Sequence, residues 1–149
     1  MTIRIKWHLP AGGDIEINHN GLSFDEGLVS LVYICLFTDA RADISDEIPD
    51  GSDDRRGWPG NSFSDFEWGS KLWLIDREKL TEEIRMRAEN YAQLAMQPLL
   101  RDGYARSAKV TATIPRMNWL ALNIILTRPD KTQLTVEIKK RWEAVENAI

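Results

Sequence analysis

The apolar residues change their spacing once between Leu80 and Ile138, and that change sets the fold class. Leu80, Ile84, Ala88, Tyr91, Ala92, Ala95 and Leu99 recur at helical intervals. Thr81 stands before them as an N-cap, with Glu82 and Glu83 where a helix dipole favours acids. Pro98 removes one backbone donor and is expected to kink or shorten the last turn, and Asp102-Gly103 supplies the stop. From Lys109 the period falls to two: Val110, Ala112 and Ile114 alternate with Thr111 and Thr113. Trp119 to Leu126 follows, then the turn Arg128-Pro129-Asp130-Lys131 and a run from Leu134 to Ile138. Three strands joined by short turns make an antiparallel meander.

Upstream, Leu28, Leu31, Val32, Cys35 and Leu36 fall on one helical stripe, with Ser23 or Asp25 available as a cap. Val29, Tyr33 and Ile34 make the other face apolar too, so this helix has to be buried on both sides. A strand is the competing reading for Val29 to Phe37, because β-branched residues are frequent there. Nearer the N-terminus, Ile3, Ile5 and Trp7 alternate with Arg4 and Lys6, and Ile15 and Ile17 alternate with Asp14, Glu16 and Asn18. Both runs read as half-buried strands of a hairpin joined through Pro10-Ala11-Gly12-Gly13. Lys139 to Ile149 reads as a charged tail, helical over a short length, with Trp142 in it. The expectation is an α+β fold in one domain over residues 1–149, with two main helices packed on an antiparallel sheet. That sheet would combine the C-terminal three-strand meander with the N-terminal hairpin.

The length of 149 residues fits one domain with a sizeable core. A net charge of -4 gives no basic face for phosphates, so nucleic acid is not an expected partner. The single cysteine, Cys35, excludes an internal disulfide and reads as an inert buried thiol suited to a reducing cytosol. The longest apolar run, Leu28 to Phe37, is about half the roughly 20 residues a membrane helix requires, so no membrane role is expected.

Thr38 to Glu67 shows no period, and a loop of that length inside a compact domain calls for a function. Between Thr38 and Gly69 nine acids stand against three arginines, so the segment carries -6 and the rest of the chain +2. Three of the six tryptophans, Trp58, Trp68 and Trp73, lie in or beside it, with the pair Arg55-Arg56. Tryptophan and arginine combine rigid contact area with hydrogen-bonding edges and dominate protein interfaces. Arg55, Arg56, Trp58, Trp68 and Trp73 are therefore the candidate protein-interface residues. For Leu72 and Trp73 core packing competes with that role; for Trp58 and the arginine pair, interface and internal packing both account for the composition.

Catalytic and metal readings find little support. His8 and His19 have no cysteine or histidine at ligand spacing. With Gly51 at the sixth position of a calcium hand, Ile48 falls on a ligand position and Gly57 where the bidentate glutamate belongs. Gly60-Asn61-Ser62-Phe63-Ser64 lacks the last glycine of a nucleophile elbow and follows no strand. No phosphate-binding glycine-lysine run occurs, and the loop acids read as a solvated acidic surface. No catalytic residue, metal or cofactor is expected; a small hydrolase using loop carboxylates and a host-directed binding module are the alternatives.

Three runs carry a resemblance: Leu31-Val32-Tyr33-Ile34-Cys35-Leu36-Phe37-Thr38-Asp39-Ala40-Arg41-Ala42, Asp53-Asp54-Arg55-Arg56-Gly57-Trp58-Pro59-Gly60 and Gly69-Ser70-Lys71-Leu72-Trp73. In order and spacing they resemble the gene product 46 family of Mu-like phages, and the likeness extends through Ala88 to Gly103 and into Leu126-Thr127-Arg128-Pro129. The chain departs from the family pattern at Ala40, at Gln97 and at Pro59, which stands where a second tryptophan is usual. The family is similar to the wedge proteins of contractile tails. The resemblance implies an α+β fold without catalysis and a structural, assembly role in the virion, reached from the host cytoplasm. It also implies a baseplate position beside the central spike, held by larger wedge subunits and close to the first sheath ring.

Overall fold

The computed structural model describes residues 27–63 and 67–142 and, upstream of these, only the backbone of short strands between Thr2 and Asp25. Helix α1 spans Leu28–Phe37, α2 Glu82–Ala95 and α3 Gln97–Arg101; strands β1 (Ser107–Arg116), β2 (Trp119–Thr127) and β3 (Gln133–Arg141) follow. The strands form an antiparallel sheet in the order β1-β2-β3, so the α+β class and the meander stand as expected. The expected union of this sheet with an N-terminal hairpin is not supported: Ile5–His8 and Gly12–Ile15 are assigned to a two-stranded sheet of their own.

The stretch Leu28–Phe37 is helical, and the strand reading is overturned. A ten-residue apolar run carries no decisive period, and packing on both sides settles it. Leu28, Val32, Cys35 and Leu36 are buried, while Val29, Leu31, Tyr33 and Phe37 pack half-buried against the same core. The helix opens on Gly27 in the left-handed region (φ 84°) with no side-chain cap, where Ser23 or Asp25 had been expected. Burial pushes the Cys35 thiol up to about 12, consistent with an inert core cysteine.

Helix α2 follows its sequence signals closely. Thr81 Oγ1 accepts from the Ile84 N–H at 3.3 Å, and Ile84, Ala88, Ala92 and Ala95 are buried. The helix ends at Ala95, and Pro98 sits in the first turn of α3, where its missing N–H costs nothing. Gly103 takes φ 77° at the stop. Alternation in the sheet places Val110, Ala112, Leu122, Ile124, Leu126, Val136 and Ile138 in one core with α1 and α2.

Two features were not expected. The outer edge of β1 is sealed by side chains of α2 acting as a substitute strand. Gln93 accepts from the Val110 N–H (2.8 Å) and donates to the Ala108 carbonyl (2.9 Å). Glu89 accepts from the Ala112 N–H (2.9 Å), and Arg85 donates to the Ala112 carbonyl (2.8 Å). An open edge is thereby closed without a fourth strand. Strand β3, for its part, continues to Arg141, so the expected tail helix is excluded over residues 139–141, while residues 143–149 lie outside the described residues. Trp142 is 3% exposed and donates from Nε1 to the Glu78 carbonyl at 2.7 Å, while Lys140 reaches Asp76 at 2.9 Å. The lysines stay at the surface by alternation and by extending their heads, so the strand can run through a charged stretch.

Candidate functional site

The long loop is irregular but folded back on itself, and the three sequence runs singled out above meet there. Asp39 and Ser70 form a parallel bridge: Ser70 N–H donates to the Thr38 carbonyl (2.8 Å) and Ala40 N–H to the Ser70 carbonyl (3.0 Å). Gly69 has φ 116°, and a β-carbon there would lie 2.6 Å from Thr38 O and 2.9 Å from Ala40 N. Only glycine lets the two backbones approach this closely. Buried Ser70 donates from Oγ to the Leu36 carbonyl, fastening the junction to the end of α1.

Trp73, in a short 3-10 turn over Leu72–Ile75, is 5% exposed and donates from Nε1 to the Ala40 carbonyl at 2.8 Å. It joins Ala42 and Leu74 in a small apolar cluster, against which Ile48 and Tyr91 of α2 pack. The Arg56 guanidinium lies over its ring at 4.5 Å and pairs with Asp39 at 2.8 Å. Arg56 itself has φ 53°, an uncommon conformation for a non-glycine residue, held by its side-chain contacts and by Asp54, which accepts from its N–H at 2.9 Å. Arg55 turns the other way and donates to the Asp43 carbonyl and, at 3.4 Å, to that of Ile44, while its own carbonyl accepts from Ala42 N–H.

Lys71 ties the outer turn down through Asp43 (2.6 Å) and Asp46 (2.9 Å). Partial burial pushes the Asp46 carboxyl up, but the hydrogen bonds from Lys71 and the Asp43 N–H, with the charges of Lys71 and Arg55, outweigh it and hold it below its ordinary value. Burial lowers Lys71, and its two aspartate partners more than offset this and raise it. A depressed acid adds stability above its unfolded pKa that is lost as pH falls through the folded value; a raised lysine adds stability below its unfolded pKa that is lost as pH rises through the folded one. The clamp is expected to hold the loop across the neutral range and to release it only in strong acid, as pH falls below the ordinary carboxylate range. Limited proteolysis within 43–55 should accelerate there before the sheet melts; equal cleavage at neutral pH and in acid strong enough to protonate the carboxylates would count against the clamp.

Of the five residues selected by sequence, Trp73 and Arg55 are engaged inside the loop. Trp68 is half-buried against the main core, its N–H and carbonyl bonded to Asn61 at 2.8 and 3.3 Å. Arg56 lies at the surface, and Trp58 is 46% exposed, resting on Gly60, where a β-carbon would strike its ring at 2.2 Å. In the same loop Ile44 (91%) and Phe63 (95%) stand almost fully in solvent. Sequence reasoning missed both, since a lone apolar residue in a loop carries no periodic signal. It also missed Lys71 and Asn61, which organise the loop from outside its tryptophan-arginine runs.

The loop acids are largely structural. Asp50 accepts from Ser52 N–H and Oγ, and Asp43 N–H donates to Asp46, all as local turn bonds. Among the described residues no three histidine, cysteine or acidic side chains gather as metal ligands, and no helix is long and apolar enough to cross a membrane.

Residues 28–133 match the family described as phage protein GP46. Over 133 residues the chain is 43% identical to the baseplate protein gp46 of Escherichia phage Mu, covering 89% of this chain and 92% of that one. Over 141 residues it is 35% identical to the Mu-like prophage FluMu protein gp46 of Haemophilus influenzae, covering 94% and 96%.

Proposed function

The chain belongs to the phage protein GP46 family, and on that basis we propose that it is a structural component of a phage tail baseplate. The observation that carries this reading is the nearly end-to-end correspondence with the Mu baseplate protein. The folded loop is consistent with it: charge pairs, the buried Trp73 hydrogen bond and the Asn61–Trp68 bonds hold a firm platform, on which Ile44 and Phe63 are exposed and Trp58 half-exposed. Apolar side chains presented on a firm base suit a permanent protein contact.

In this reading the protein acts as a wedge subunit of a contractile tail and performs no catalysis. It assembles in the host cytoplasm and resides in the virion. Its neighbours are larger wedge subunits, the central spike or hub and the first sheath ring. Trp58 and Arg56 supply the contact from the original five residues; Arg55, Trp68 and Trp73 hold the platform in shape. The joint replacement of Trp58 with Ala and Phe63 with Ser should leave the melting temperature of the isolated protein unchanged. It should weaken co-purification with the other baseplate proteins roughly 30-fold or more, the scale of a lost aromatic anchor. Undiminished co-purification would remove the platform from the interface.

A further inference from the structure

We propose that a concavity on the loop, with Arg41 as its free cation, receives a single carboxylate carried by an otherwise basic surface of a neighbouring protein. The inference rests on the baseplate reading and names the chemistry of one contact within it. The concavity measures 440 Å³ and is walled by Arg41, Arg56, Trp58, Pro59, Asn61 and Glu67.

Arg41 is the unexpected member. The segment from Thr38 to Gly69 offers nine acids, yet exposed Arg41 makes no hydrogen bond or ion pair with any described residue. Every other cation of the loop is engaged: Arg55 by backbone carbonyls, Arg56 by Asp39 and the Trp73 ring, Lys71 by two aspartates. The backbone keeps Arg41 in place. Gly57 sits beneath its stem at φ 112°, and a β-carbon there would come within 3.1 Å of Arg41 Cβ. Trp58, seated on Gly60, supplies an apolar wall.

A guanidinium fork beside an indole fits a glutamate or aspartate whose methylenes lie on the ring while its oxygens take the paired N–H donors. Glu67, on the same wall and without a partner among the described residues, repels a second acid and can accept a backbone N–H of the incoming segment. The net -6 of the surrounding loop disfavours a run of acids or phosphates and favours a basic surround. One carboxylate set among cations is the complementary surface.

In the phage or prophage that encodes the chain, the gene would be deleted and supplied again as wild type, Arg41→Glu or Arg41→Lys. Arg41→Glu is expected to lower the yield of complete tails roughly 30-fold or more, with the melting temperature of the purified protein unchanged. Arg41→Lys should fall between, since it keeps the charge and loses the fork. A change of one Asp or Glu to Lys or Arg in another tail protein should restore Arg41→Glu. Wild-type yield from Arg41→Glu would overturn the inference, as would a lowered melting temperature or suppression found only within this chain. Complete tails from the gene deletion would overturn the baseplate reading itself.

Discussion

Gly69→Ala is expected to destabilise the protein by roughly 3 kcal/mol or more, from overpacking and a disallowed backbone angle together. At φ 116° an alanine is strained whatever the space, and here the space is filled by backbone atoms, Thr38 O at 2.6 Å and Ala40 N at 2.9 Å. A flexible side chain could swing away; a peptide group in a bridge cannot. Relief requires the Ser70–Thr38 and Ala40–Ser70 hydrogen bonds to break, which releases the loop from the end of α1. For a chain of this size the melting temperature should fall by roughly 6 to 12 °C, measured by circular dichroism at 222 nm. Proteolysis between residues 38 and 69 should rise with it. A variant that melts with the wild type would show that the junction does not bear on stability.

Trp73→Ala should cost about 3 to 5 kcal/mol, the range for truncating a large buried aromatic, and lower the melting temperature by roughly 10 °C. The indole is 5% exposed, fills the cluster with Ala42 and Leu74, and holds the Ala40 carbonyl. It is also the surface on which Arg56 lies, so its loss frees the arginine and the Asp39 pair. Trp73→Phe keeps most of the packing and drops the hydrogen bond, for about 1 to 2 kcal/mol. Arg56→Ala, which removes a half-exposed guanidinium from the Trp73 ring and from a half-exposed ion pair, should cost about 1 kcal/mol or less. That order, Trp73→Ala well above Trp73→Phe and Arg56→Ala the mildest, is the test. An Arg56→Ala variant as unstable as Trp73→Ala would place the main support of the loop in the arginine.

The sealed edge of β1 illustrates why some of the fold was hidden. Arg85, Glu89 and Gln93 lie four residues apart on α2, a spacing that on its own reads as a polar face turned to water. Their partners are backbone groups of Ala108, Val110 and Ala112, and no pattern in either segment announces the pairing. Thr81 and Pro98, by contrast, act within one helical turn of themselves, so their roles were legible. The same distinction separates the loop residues. Trp58 and Trp73 are chemically alike in sequence, and one is half-exposed while the other is core.

By itself the sequence determined the order of elements, the α+β class and the family, because helical and strand periods, caps and motif runs are local properties of a chain. Tertiary structure decided which loop residues face inward. Trp73 reaches Ala40 across 33 positions and Arg56 reaches Asp39 across 17, and only the meeting of these segments closes the indole off and leaves Trp58 and Arg41 open to a partner. Burial of that kind depends on which surfaces come together in space, and a loop without a period carries no one-dimensional trace of it.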